Sequence, residues 1–265
     1  MTTGPAMTTT ATGRRAPAAI RDGRDGRDGR DGRDGRDGRD GRDGRDGPSL
    51  PAAEGRSPTS VYEAALRSAD GRLWVSHPDG RRDLLPVLAW RGGLAPGDAS
   101  LLRRCAGPTL DVGCGPGRLA AALAARGVPT LGIDVAAFAV RLARRAGATA
   151  LRRDVFDPLP AEGRWSTLVL ADGNIGIGGD PGRLLTRAAE LLGPAGRVLV
   201  ELQTHPAPTG QLLIRLEGPD GQLSKSFPWA FVGSEEIRDH ASAAGLRVAR
   251  TWRSEGRHFA ALGRS

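Results

Sequence analysis

From Leu110 onward, short apolar runs alternate with segments whose apolar positions recur every three or four residues. Thr109–Val112 is a strand-like run, followed by a glycine turn, then RLAAALAARG, a helix that Gly127 can end. Residues 128–134 (VPTLGID) read as the next strand, and AAFAVRLARRAG as a helix stopped by Gly147. Residues 149–155 and 164–172 form a third and a fourth strand. Residues 181–192 form a helix with Pro181 at its first position. A GPAG turn (193–196) leads to a fifth strand at 197–203. Near-continuous apolar strands that alternate with helices predict a parallel sheet covered on both faces.

The flanks read differently. Residues 212–233 predict a hairpin about Pro219-Asp220-Gly221, then a loop. Residues 234–245 predict a helix with Ser234 as N-cap and Gly245 as stop, and LRVARTWR and HFAALGR predict two antiparallel strands. Before the glycine turn, VYEAALRS predicts a helix, residues 72–90 a hairpin about Pro78-Asp79-Gly80, and ASLLRRC a short helix.

Residues 1–56 carry no such pattern. Residues 21–47 repeat Arg-Asp-Gly nine times, with no apolar side chain and with charges that cancel. Such a tract cannot bury enough surface to balance its ordering entropy, which predicts a disordered tail. It lacks the proline of a collagen repeat and reverses the order of an adhesion tripeptide, so a low-complexity spacer is the reading. The expected organisation is therefore a tail over 1–56 and one domain over 57–265. Residues 1–20 hold no apolar run of signal-peptide length, and no stretch approaches a membrane span. Cys105 and Cys114 make no disulfide framework, and a cytoplasmic location is expected. The net charge is +8, but Lys225 is the only lysine and the arginines are scattered. No basic stripe interleaved with aromatics appears, so a nucleic-acid partner is not expected.

Candidate chemistry concentrates in LDVGCGPGR (110–118), where Gly113, Gly115 and Gly117 stand between a strand and a helix. That arrangement suits a ligand near a helix N-terminus. The spacing is G-x-G-x-G, and Arg118 stands where a dinucleotide fingerprint needs its third glycine. This disfavours a nicotinamide cofactor. No Gly-Lys-Ser/Thr follows for a phosphate loop.

The run LDVGCGPGRLAAALAARG resembles the first motif of the class I, Rossmann-like, S-adenosylmethionine-dependent methyltransferases. The similarity continues through GID, RRDVFD, LVLAD and LLGPAGRVLVEL, roughly over residues 101–203. It implies a doubly wound, mostly parallel seven-stranded sheet with helices on both faces and an antiparallel C-terminal hairpin. It also implies S-adenosylmethionine as cofactor. The glycines, with Cys114 among them, would let the backbone approach the methionine portion. Asp111 would receive its amino group. Asp134, 23 residues on, would accept the ribose hydroxyls, with Val135 beside it. Asp154 and the Val155 backbone N–H would meet the adenine, and Ala171 and Asp172 would flank the methyl.

Methyl transfer needs chiefly in-line positioning, with a base for a hydroxyl acceptor. Asp172, His205 and His258 are the base candidates, and Asn174 is a further polar group near the expected methyl. The fourth-strand tip departs from the Asp/Asn-Pro-Pro-aromatic stretch of amine-on-base methylases. Gly173, Gly176, Gly178 and Gly179 suggest a backbone wrapped closely about something. The two hairpins, with Trp74, Trp90, Phe227, Trp229 and Phe231, are expected to roof a small-molecule oxygen or nitrogen acceptor. The competing class is a non-catalytic module that binds the cofactor or a nucleotide.

Overall fold

The computed structural model describes residues 55–204 and 210–265. The predicted tail lies outside these residues, apart from Gly55 and Arg56, and so does His205. Arg56 bridges Ser224, with the Lys225 N–H donating to the Arg56 carbonyl at 2.9 Å, so the ordered pairing begins just before Ser57.

The chain order is α1 (Pro58–Arg67), β1 (Trp74–Ser76), β2 (Arg82–Leu84), α2 (Val87–Arg91), α3 (Asp98–Leu102), β3 (Thr109–Val112), α4 (Arg118–Ala124), β4 (Thr130–Asp134), α5 (Ala137–Arg145), β5 (Ala150–Arg152) and β6 (Trp165–Leu170). A 3-10 segment at Asn174–Gly179 follows. Then come α6 (Pro181–Leu191), β7 (Leu192–Leu202), β8 (Gly210–Glu217), β9 (Phe227–Phe231), α7 (Ile237–Ala243), β10 (Leu246–Ser254) and β11 (Arg257–Arg264).

Seven strands form one sheet in the order β10-β11-β7-β6-β3-β4-β5. The five from β7 to β5 run parallel, and β11 runs antiparallel between β7 and β10. Strand alternation sorts the core onto two faces. Leu110, Val112, Leu168, Leu170, Val198 and Val200 pack with α6 and α7, whereas Val169, Ala171, Leu199 and Phe259 pack with α3 and α4. The predicted doubly wound sheet with its C-terminal hairpin is the architecture observed.

Local departures have local causes. The GPAG segment does not precede β7 as a turn but lies inside it. Trp165 pairs with Leu192 and Thr167 with Arg197, so residues 193–196 are looped out as a bulge. Ser234 does not cap α7. That helix starts at Ile237, and the Glu236 carboxylate instead accepts from the Gly233 N–H at 3.1 Å. Asp180 caps α6 ahead of Pro181, accepting from the Arg183 N–H at 2.9 Å. The hairpin expected over 72–90 stops at Leu84, and residues 87–91 are helical. The hairpin expected about Pro219-Asp220-Gly221 is formed by β8 and β9, which pair antiparallel. The two hairpins also join, because β1 pairs antiparallel with β8 and gives a second sheet in the order β2-β1-β8-β9. Its inner face packs on α1, α2 and α5.

Candidate functional site

The carboxyl ends of β3, β4, β5 and β6 open on one edge of the large sheet, and the glycine turn stands there. The three glycines have three different neighbours. All three adopt positive φ, at 69°, 54° and 91° for Gly113, Gly115 and Gly117. A Cβ on Gly113 would lie 2.6 Å from the Asn174 amide, and one on Gly117 would lie 2.6 Å from the Ala143 methyl of α5. Protein atoms therefore require these two glycines. Gly115 instead meets the Tyr62 hydroxyl of α1, 3.1 Å from where a Cβ would stand, a contact closer than ordinary van der Waals packing. Cys114 is buried with its sulfur against Gly132, and burial pushes its thiol well up, which makes it packing rather than a nucleophile.

Asp111 and Asp134 are both buried beside this turn. Asp134 ends β4 and braces the loop. Its Oδ2 accepts from the Gly115 N–H at 2.9 Å and its Oδ1 from the Ala136 N–H at 2.8 Å. Asp111 Oδ2 is fully buried and has no hydrogen-bond partner among the described residues. Burial pushes its carboxyl up to about 7, with the like charges of Asp172 and Asp134 adding to the effect. An orphaned carboxylate oxygen in an acidic pocket is a seat for a cation.

Beyond Asp134 an open cleft of about 630 Å³ runs between Val135 and the stretch after β5, lined by Arg152, Arg153, Asp154, Asp157 and Pro158. Val135 is 47% exposed, which is unusual for an aliphatic residue at a strand end and gives the cleft an apolar wall. Asp154 is exposed, with Oδ1 accepting from the Phe156 N–H at 3.0 Å, and Val155 is buried behind it. Asp111, Gly113, Cys114, Gly115, Gly117, Asp134, Val135, Asp154 and Val155 thus stand around one edge, and Ala171 and Asp172 follow β6 onto it.

Asp172 has a left-handed backbone, with φ 53°, and sits in a network of charges. Arg118 donates to Asp98 and, at 2.5 Å, to Asp172. Arg257 donates to Asp98 at 2.6 Å and to Glu201 through Nε and Nη2 at 2.7 and 2.6 Å, and its Nη2 lies 3.4 Å from Asp172. Burial raises the Asp172 pKa, while Arg118 and Arg257 pull against that rise. The network was not visible in the sequence, because its members come from five separate elements and loops.

His258 is not drawn into that group. It pairs with Leu202 on β7, and alternation turns it to the sheet face opposite Arg257 and Phe259. Partial burial and Arg253 lower its pKa. Asn174 has a structural task, its amide donating to the Val112 and Gly113 carbonyls at 2.9 and 3.0 Å. What the glycine-rich segment wraps is largely β9. A Cβ at Gly176 would strike the Ala230 carbonyl and the Trp229 indole, and one at Gly179 would lie 2.6 Å from Pro228. Of the expected roof aromatics, Trp90, Phe227, Trp229 and Phe231 gather beside α1, whereas Trp74 stands apart from that cluster beneath the Arg82 guanidinium.

A family described as a methyltransferase domain matches residues 96–251, more than half of the chain. This chain belongs to that family. Its α1, β1, β2 and α2 lie ahead of the matched stretch. The methyltransferase domain is also similar to solved structures. One is a SAM-dependent methyltransferase from Bacteroides fragilis in complex with S-adenosyl-L-homocysteine, 22% identical, with 82% of this chain and 98% of that one covered and a TM-score of 0.66. Another is the CcbJ methyltransferase from Streptomyces caelestis, 17% identical, with 67% and 90% covered and a TM-score of 0.50. A third is a SAM-dependent methyltransferase from Methanosarcina mazei, 17% identical, with 65% and 99% covered and a TM-score of 0.50. At these identities the likeness establishes the fold. No curated protein matches the chain.

Proposed function

We propose that this methyltransferase domain binds S-adenosylmethionine across the glycine turn and transfers its methyl group to a small-molecule oxygen or nitrogen. The observation that carries the reading is the buried, unpartnered Asp111 Oδ2 at the carboxyl edge of a parallel sheet. The cofactor, when bound, supplies an electrophilic methyl on a sulfonium sulfur.

The residues present fit it. Asp111 would take the amino group. Asp134 accepts one N–H on each oxygen and keeps a lone pair on each for the ribose hydroxyls. Val135 would bear on the adenine, whose amino group would meet Asp154 and whose ring nitrogen would meet the Val155 N–H. Ala171 and Asp172 would border the methyl. Burial raises the Asp172 pKa while two guanidiniums hold its anion, so Asp172 is the first candidate base for a hydroxyl acceptor, and transfer otherwise rests on positioning. His205 and His258 remain the alternatives for a hydroxyl acceptor. The four-stranded sheet with its aromatic inner face supports a small acceptor rather than a polymer, and the domain is read as cytoplasmic. Among the described residues no helix is long and apolar enough to cross a membrane, and no cluster of side chains could hold a metal ion.

Calorimetric titration tests the cofactor assignment. S-adenosylmethionine and S-adenosylhomocysteine should bind and NAD should not, and tight NAD binding would overturn it. A screen with methyl-labelled cofactor across phenols, alcohols, amines and carboxylic acids then tests turnover. Binding with no transfer to any acceptor would favour the non-catalytic module.

A further inference from the structure

Three carboxylates, Asp111, Asp134 and Asp172, crowd the site proposed for the cofactor, and the charges acting on Asp111 and Asp134 are all negative. The nearby cations are already engaged. Arg118 and Arg257 are held by Asp98, Asp172 and Glu201. Arg152 donates to the Val135 carbonyl and Arg153 to the Arg152 carbonyl, in the cleft beyond Asp134. Yet the amino-acid end of S-adenosylmethionine carries a carboxylate beside the ammonium that Asp111 would take. That carboxylate needs a donor close to the glycine turn.

The Tyr62 hydroxyl stands there, the single near neighbour of Gly115, 3.1 Å from where a Cβ on that glycine would lie. Among the described residues its hydroxyl makes no hydrogen bond. Its surroundings keep it a donor, because burial and the acids Asp134, Cys114 and Asp172 all raise its pKa well above the ordinary phenol value. It is also rigidly carried. Ser57 caps α1, Val61, Ala65 and Leu66 bury its inner face, and the Glu63 carboxylate accepts from the Phe138 N–H at 2.8 Å, which ties α1 to the start of α5. The Trp90 ring meets the Tyr62 ring edge-on at 6.3 Å.

We infer that Tyr62 is a cofactor-positioning residue whose phenolic O–H donates to the α-carboxylate of the bound cofactor, so that α1, outside the stretch matched by the family, completes the site. The assignment rests on the cofactor reading above, and the test separates the two.

The experiment is a ligand-truncation cycle by calorimetry on the full chain. S-adenosylhomocysteine is compared with S-adenosyl-(3-thiopropyl)amine, which keeps the amino group and lacks the carboxylate, on wild type and on Tyr62→Phe. The expected result is a loss of about tenfold or more in S-adenosylhomocysteine affinity in Tyr62→Phe, as befits a hydrogen bond to a charged group. Affinity for the amine should be unchanged. An equal loss for both ligands would overturn the carboxylate assignment, since Tyr62 would then act through shape alone. No loss for either would remove Tyr62 from the site. Wild type that binds neither ligand would overturn the cofactor reading itself, and this inference with it. Thermal unfolding without ligand shows whether Tyr62→Phe is folded, and Tyr62→Trp, which keeps an aromatic ring but cannot place the hydroxyl, should lose S-adenosylhomocysteine affinity as well.

Discussion

Asp111 carries its consequence in its protonation. Its carboxyl is pushed up to about 7 by burial, then by Asp172 and Asp134, whereas an aspartate in an unfolded chain titrates near 4. A carboxyl whose folded pKa lies above the unfolded value favours the fold while protonated. Its contribution to the free protein is complete below the unfolded pKa and is lost as pH rises through about 7. A bound ammonium has the opposite preference and needs the anion. Cofactor affinity should therefore fall as pH drops through about 7, and Asp111→Asn should bind weakly with a flat profile over the same window. Calorimetry at pH values on either side checks both, and a wild-type affinity that ignores pH would separate Asp111 from the ligand. Asp134→Ala should weaken binding by roughly 1.5–3 kcal/mol, the range for hydrogen bonds involving a charged group. Both aspartates were legible because strand-end acids at that spacing lie on one edge of a parallel sheet. Tyr62 was not, since nothing in VYEAALRS shows that its helix docks on α5.

Glycine was read correctly as a demand for space, and the identity of the space is what the sequence withheld. Gly113 and Gly117 give way to Asn174 and Ala143, and Gly176 gives way to β9, so much of the backbone freedom near the site serves packing between elements. This separates two glycines three residues apart. Gly173 has φ 83° and nothing near its Cβ position, so Gly173→Ala should cost only the left-handed conformation, about 1–2 kcal/mol. Gly176→Ala would strike the Ala230 carbonyl and the Trp229 indole, so β9 must move off the 3-10 segment. Its cost should be larger, about 2–4 kcal/mol, in the range of overpacked cores. Urea unfolding of the two variants gives the order, and a Gly173→Ala variant less stable than Gly176→Ala would contradict the packing. The GPAG segment teaches the same lesson. Its residues mark a change of direction, but whether that change becomes a turn or a bulge depends on the register of β6 against β7.

Across the whole molecule, the alternating α/β order was legible because apolar runs and helical periods are local, and sheet order follows from right-handed crossovers. The union of the two hairpins was not. β1 and β8 lie about 140 residues apart in the chain, and only the docked fold brings Val75 beside Leu216. The same holds for the charge network that closes the other side of the site. Arg257, at the start of β11, reaches Asp98 of α3 and Glu201 of β7, and approaches Asp172 after β6. It thereby fastens the C-terminal hairpin to the glycine-turn side of the sheet. Asp98 is fully buried, so removing one of its two guanidiniums leaves a buried carboxylate short of positive charge. Breaking such a network by deleting one partner costs about 3–5 kcal/mol. Arg257→Ala should therefore lower the unfolding midpoint far more than deletion of residues 1–54, which brings no apolar face and should leave stability and cofactor binding unchanged. The double variant Arg257→Ala with Asp98→Asn should recover part of the loss, because the uncompensated charge goes with its partner. Thermal unfolding of the three proteins decides it. A truncated chain as unstable as Arg257→Ala would mean that the tail holds the domain together, and a double variant no better than the single one would mean that Asp98 does not need its countercharge.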